Sequence, residues 1–163
     1  MDGKKYFYTN PLRISADLPY TLRWPKERTE YISCFCCPPN TLRTLCQAQN
    51  YAYTLGSEGI YCNLYGANTL TTNWRDKGEI ALTQKTAYPW EGNVRVEFDR
   101  VPRKAGVFSL FLRIPEWCEK AMLTVNGELV PVAAKANTYA EVKRTWKKGV
   151  CGRVGDGYVC PPA

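Results

Sequence analysis

The 163-residue chain contains no histidine, so it lacks the commonest metal ligand and the usual catalytic base. It also lacks any run of about 18 apolar residues, and no membrane span is predicted. The first residues lead into aromatic side chains rather than an apolar stretch, so we expect no secretory signal and residence in the cytoplasm. If this chain carries chemistry, we expect cysteine to carry it.

Cysteine, by contrast, occurs eight times. Cys34, Cys36 and Cys37 lie together in the segment 33–40 (SCFCCPPN), where two prolines follow them directly. Adjacent cysteines do not bridge each other easily, because a disulfide needs a near-perpendicular torsion and close Cβ atoms. Clustered cysteines without a secretory signal indicate reduced thiols rather than a disulfide framework. Soft thiolates select zinc, so the cluster predicts a metal centre or a reactive thiolate.

The two prolines, Pro38 and Pro39, have a fixed φ and no N–H group. We expect them to hold the thiols rigidly and to leave Asn40 or Thr41 to cap a helix. Apolar residues at a period near 3.6 predict that this helix continues until Gly56 closes it. The stripe consists of Leu42, Leu45, Cys46, Ala52 and Tyr53.

From Gly59 onward the apolar residues alternate with polar ones. Short alternating segments separated by Gly, Pro, Asn and Asp predict a mainly β domain, an antiparallel β-sandwich with one apolar face of each strand in its core. Asn126-Gly127 is the strongest hairpin signal, because a type I′ turn needs a positive φ at both central residues. The predicted core-facing residues include Ile60, Cys62, Ile80, Leu82, Val94, Val96, Phe98, Phe108, Leu110, Leu112, Leu123 and Val125.

The formal net charge of +7 raises the question of nucleic-acid binding. Lysine and arginine are spread along the chain, and the one cluster is Lys143-Arg144 with Lys147-Lys148. Nucleic-acid binders concentrate basic residues on one face or tail. We therefore expect a solvated basic surface and no nucleic-acid partner.

Several motifs resemble glycoside hydrolase family 127, the β-L-arabinofuranosidases. They occur in the family's order and cover the chain nearly continuously from residue 2 to residue 149. The matching segments are 6–12 (YFYTNPL), 34–40 (CFCCPPN), 59–65 (GIYCNLY), 84–92 (QKTAYPWEG), 112–118 (LRIPEWC), 125–127 (VNG) and 144–146 (RTW).

This resemblance implies a retaining glycosidase that releases terminal β-L-arabinofuranose from an arabinose-containing oligosaccharide or glycan. It implies that Cys36 is the thiolate nucleophile and a zinc ligand, and that Cys37 is a second zinc ligand. Cys34 belongs to the motif without being one of the family's ligands. The remaining ligands, spaced Glu-x-Cys, and the acid/base Glu lie upstream in the family, so we expect this fragment to be inactive alone and to bind zinc weakly or not at all.

The same resemblance divides the chain into three parts. Residues 1–55 would be the short remnant of an (α/α)6 catalytic barrel, residues 56–149 the β-sandwich, and residues 150–163 an irregular tail. Since the rest of the barrel would normally cover the helix, we expect an exposed apolar face and self-association.

The tail departs from the family pattern after Gly149. Back-translation of residues 151–163 with one base dropped can spell an acidic, alternating strand, so we interpret the tail as the product of a shifted reading frame. We then expect the last strand to be lost and a sheet edge to be left unpaired.

Two other functions stay open. The β-sandwich could be a stand-alone carbohydrate-binding or structural module, and the cysteine cluster could be a structural zinc or redox site. Trp90, in the turn 88–92 (YPWEG), could stack on a sugar ring. A structural role is favoured for Trp90, either as a cap on the sandwich edge or in packing against the barrel, because tryptophan is highly buried on average. The same role is favoured for Trp117 and Trp146.

Overall fold

The computed structural model describes residues 4, 5, 7, 17, 25, 27–31, 36–118, 121–131 and 135–149, and the backbone of 151–154. The chain forms two compact units, Met1–Gln49 and Asn50–Ala163. Among the described residues, no helix is long and apolar enough to cross a membrane.

In the first unit the only helix among the described residues, α1, spans Cys37–Gln47. Pro38 and Pro39 therefore lie in its first turn, where N–H groups have no intrahelical partner and proline is tolerated. The expectation that Asn40 or Thr41 caps the helix is wrong. Cys36 takes the N-cap position and makes no side-chain capping hydrogen bond.

The helix is also shorter than predicted. A 3₁₀ turn follows over Ala48–Tyr51, and Tyr53 already belongs to a strand. Gly56 does not end a helix; its N–H donates to the Gly59 carbonyl across a turn between two strands, 2.9 Å away. The apolar residues of α1 itself, Leu42 and Leu45, are 62% and 68% exposed, as the sequence predicts, and self-association through them stays a prediction.

The second unit is built from two sheets. Its strands are β1 (Tyr53–Leu55), β2 (Gly59–Cys62), β3 (Asn68–Asn73), β4 (Glu79–Lys85), β5 (Val94–Arg100), β6 (Val107–Ile114), β7 (Leu123–Val125), β8 (Glu128–Leu129), β9 (Thr138–Thr145) and β10 (Cys151–Val154). The smaller sheet has the order β1-β2-β6-β9, and the larger has the order β3-β4-β5-β10-β7-β8.

A single apolar core joins the two sheets and confirms the β-sandwich. Alternation places every second residue of β5 in this core, since Val94, Val96 and Phe98 are at most 1% exposed. Two buried tryptophans belong to this core, and the indole N–H of each donates to a backbone carbonyl. Trp74 donates to the Gly56 carbonyl at 3.0 Å and Trp146 to the Phe108 carbonyl at 3.1 Å.

The sheets are antiparallel apart from one pair. β2 runs parallel to β6, with Gly59 opposite Ser109 and Cys62 opposite Leu112. Alternation indicates which face of a strand is buried but not the direction of its neighbour, so this pairing has no sequence signal. The Asn126-Gly127 hairpin between β7 and β8 is confirmed, with φ of 53° and 89° at its two central residues.

The expectation of an irregular chain after residue 149 is wrong for 151–154. These residues form β10, which pairs with β5 on one side and β7 on the other. Ladder hydrogen bonds come from the backbone, so a short segment without the predicted alternation can still fill the gap between two strands. Residues 155–163 lie outside the described residues, and the shifted reading frame stays a hypothesis.

The buried thiol of Cys62 predicts that the sandwich loses stability at alkaline pH. Burial raises the pKa of Cys62 from 9.0 to about 12. Above pH 9.0 the unfolded chain therefore loses this proton while the folded chain keeps it, and the free energy of unfolding falls by about 1.4 kcal/mol per pH unit. The contribution is fully present below pH 9.0. Burial also raises the pKa of Tyr53, which adds a loss in the same direction above pH 10.0.

Urea unfolding followed by tryptophan fluorescence at about pH 8 and about pH 11 checks this. The Cys62→Val variant keeps an apolar side chain of similar size in the core and should lose distinctly less stability between the two pH values. An equal loss in both proteins would contradict the assignment to Cys62.

Candidate thiolate site

Cys36 and Cys37 lie at the N-terminal end of α1, and both are exposed. Their Sγ atoms are 3.4 Å apart. That is much longer than the roughly 2.05 Å of a disulfide bond, so the two thiols are not bridged to each other. The chain bends at Cys36 and enters α1 at Cys37, and in this conformation the two adjacent thiols lie close together.

This spacing suits two ligands of one zinc ion. Thiolates bind zinc at about 2.3 Å, so two of them at a tetrahedral angle lie roughly 3.8 Å apart. The observed separation of 3.4 Å differs from that by a few tenths of an ångström. The separation of Cys36 and Cys37 is thus compatible with two ligands of one metal ion.

The described residues supply only half of such a site. Nowhere among them do three or more Cys, Asp or Glu side chains form a group that could hold a metal ion, whereas structural zinc has four ligands. A Glu-x-Cys triplet does occur at residues 116–118, but Cys118 is 2% exposed in the sandwich core while Glu116 is exposed. Cys34 lies outside the described residues.

An open depression surrounds the two sulfur atoms. Asn40 lies in its lining. The side-chain oxygen of Asn40 accepts from Arg43 Nη1, and the Asn40 carbonyl accepts from Thr44 Oγ1 at 2.9 Å. The first turn of α1 contains no acidic side chain, and the positive end of the helix dipole lies beside the thiols, an arrangement that stabilises negative charge. The lining consists of Cys36, Cys37, Asn40, Thr41, Thr44 and Leu45.

The other described cysteines lie away from the pair formed by Cys36 and Cys37. Cys62 and Cys118 are buried in the sandwich, and Cys46 is exposed near the C-terminal end of α1. Trp146 is 2% exposed and structural. The Trp90 side chain is 87% exposed, so it does not cap the sandwich edge, and its packing against the barrel stays a prediction. The sequence signal for this exposure is the position of Trp90 in a turn between two strands.

Two family models match the chain. One, described as the β-L-arabinofuranosidase GH127 catalytic domain, matches residues 1–50, and the GH127 middle domain matches residues 59–151. The chain belongs to glycoside hydrolase family 127. Cys36 and Cys37 lie in the segment that matches the catalytic domain, and the sandwich is the family's middle domain.

Individual relatives agree with this assignment. The non-reducing end β-L-arabinofuranosidase of Bifidobacterium longum subsp. longum is 30% identical over 136 residues, which are 78% of this chain and 20% of that enzyme. A solved glycoside hydrolase is 83% identical with a TM-score of 0.83, over 94% of this chain and 25% of that one. The GH127 β-L-arabinofuranosidase Ara127N of Geobacillus stearothermophilus T6 is 33% identical with a TM-score of 0.74, over 94% and 24%.

The chain thus spans about a fifth of the length of the curated relative and a quarter of the solved chains. Within this chain, the segment that matches the catalytic domain comes first and the middle domain follows it.

Proposed function

We propose that this chain supplies the nucleophile of a retaining glycosidase that releases terminal β-L-arabinofuranose from an arabinose-containing oligosaccharide or glycan. Membership of family 127 supports a glycosidase. The observation that carries the finer proposal is the pair of sulfur atoms 3.4 Å apart at the start of α1, within the segment that matches the catalytic domain.

The reaction proceeds by two displacements. The Cys36 thiolate attacks the anomeric carbon, the glycosidic C–O bond breaks, and a glutamic acid outside this chain protonates the leaving oxygen. The same glutamate then takes a proton from water, which attacks the anomeric carbon and displaces the Cys36 sulfur. Two inversions release the sugar with its configuration retained, and Cys36 returns as a thiolate.

Cys36 and Cys37 would hold a zinc ion. When bound, zinc deprotonates the thiols that coordinate it, which supplies the thiolate at neutral pH. Pro38 and Pro39 restrict the backbone that carries both sulfur atoms, and so they orient Cys36 toward one direction of attack.

A chimera tests this proposal. Residues 1–149 replace the corresponding segment of the 83% identical glycoside hydrolase, which we expect to supply the remaining ligands and the acid/base residue. We expect the chimera to hydrolyse a p-nitrophenyl β-L-arabinofuranoside with retention, whereas the 163-residue chain alone releases no nitrophenol. A folded chimera with no turnover, or turnover by the chain alone, would contradict the proposal.

An electrophilic substrate analogue identifies the attacking atom. An arabinofuranose with a bromoacetyl group at the anomeric position should alkylate Cys36 of the chimera, because its thiolate lies where the anomeric carbon binds. Peptide mass spectrometry locates the added mass. Selective labelling of Cys37 instead would show that the nucleophile is the neighbouring thiol.

A further inference from the structure

An ordered loop between β4 and β5 presents Trp90 to solvent. Thr86 Oγ1 donates to the Asn93 carbonyl at 2.6 Å and accepts from the Tyr88 N–H at 3.0 Å. The backbone N–H of Trp90 donates to the Ala87 carbonyl at 2.9 Å. These hydrogen bonds close the loop, and in the closed loop the Trp90 side chain is 87% exposed.

A second exposed indole lies at the turn after β6. The Tyr88 ring, from the same loop as Trp90, packs against Trp117 with centroids 6.4 Å apart and planes 17° apart, and Trp117 is 47% exposed. Tyr88 is fixed from another side by an edge contact to Tyr65 at 6.0 Å. By contrast, Trp74 and Trp146 are at most 2% exposed. Tyr88 thus connects two neighbouring turns that each display tryptophan.

Each displayed indole has a carboxylate next to it in the chain. Glu91 follows Trp90, Glu116 precedes Trp117, and both glutamates are exposed. Burying these charges beneath an apolar protein surface would cost free energy, because carboxylates need hydrogen-bond donors when they leave water. A ligand rich in hydroxyl groups supplies such donors, while its C–H faces can pack on the aromatic rings.

We propose that the surface formed by Tyr88, Trp90 and Trp117 binds a neutral oligosaccharide, with sugar rings packed on the indoles and hydroxyl groups donating to Glu91 and Glu116. The identity of the sugar, an arabinofuranosyl oligosaccharide, rests on the proposed function. The binding itself needs neither zinc nor Cys36.

Tryptophan indole N–H signals in NMR spectra of the 163-residue chain test this. Titration with an arabinofuranosyl trisaccharide should shift the signals of Trp90 and Trp117, while those of the buried Trp74 and Trp146 stay in place as internal references. Trp90→Ala should raise the Kd about five- to tenfold, the worth of one aromatic contact. Tyr51→Ala removes a different aromatic side chain, 64% exposed, and should leave the Kd unchanged.

Several results would overturn the site. These are no shift of the Trp90 signal at saturating sugar, an unchanged Kd in Trp90→Ala, or Trp90 shifts that follow protein concentration instead of sugar, which would assign the surface to a second copy. Binding is measured on the 163-residue chain and turnover on the chimera, so the two proposals are tested separately. Failure of catalysis in the chimera with binding intact would therefore refute the thiolate mechanism alone, and the reverse pattern would refute this surface alone.

Discussion

Replacing Cys36 by alanine should lower the turnover of the chimera by about 10⁴-fold or more, because loss of a covalent nucleophile removes the reaction path itself. The oxygen of Cys36→Ser is a poorer zinc ligand and a weaker nucleophile, so that variant should be similarly inactive. The measurement is kcat on the p-nitrophenyl arabinofuranoside, made together with the zinc content of each protein.

Cys46→Ala is the matched control for this experiment. It removes another thiol from the same helix α1, and we expect it to leave both kcat and zinc content unchanged. Cys37→Ala should reduce zinc content together with kcat, because it removes one of the two thiol ligands. If Cys36→Ala retained more than a small fraction of the turnover, the sulfur of Cys36 would not be the attacking atom.

Replacing Gly59 by alanine should destabilise the sandwich by about 3 kcal/mol or more, beyond the usual range for overpacked positions. Gly59 lies on β2 opposite Ser109 of the parallel neighbour β6. An added Cβ would lie 2.1 Å from the Ser109 carbonyl oxygen and 2.9 Å from Phe111 Cε2. The nearest atom belongs to the backbone, which cannot rotate away, so the two strands would have to separate.

Gly66→Ala serves as the comparison for this variant, because a Cβ at Gly66 meets no atom within 4 Å. We expect its stability to stay within about 0.5 kcal/mol of the unaltered chain. Urea unfolding of both variants measures the difference. Equal stabilities for the two would mean that β2 and β6 do not approach each other as closely as the structure has them.

Much of the sandwich could be predicted from the sequence, because a strand with one buried face has alternating apolar and polar residues. Val94, Val96 and Phe98 alternate with charged residues, and all three are buried. This alternation does not indicate which strands pair. The parallel β2–β6 pair and the central position of β10 were therefore not predicted. These pairings depend on contacts between segments that are far apart in the chain.

The residues of the candidate site could be predicted from the sequence, but their position relative to the helix could not. The clustered thiols beside two prolines indicated Cys36 and Cys37, whereas the start of the helix was misplaced because proline was read as preceding it. The exposure of Trp90 in this chain could not be predicted from its residue type. Average burial describes tryptophan across many proteins, and here the turn geometry places one indole outside.

The position of β10 has a consequence for synthesis on the ribosome. β10 follows both of its neighbours in the chain, yet it lies between β5 and β7. Until residues 151–154 have emerged, β5 and β7 each present a row of unpaired N–H and C=O groups to solvent or to a chaperone. The nascent chain therefore carries two open strand edges during elongation, and the larger sheet becomes continuous when β10 joins them.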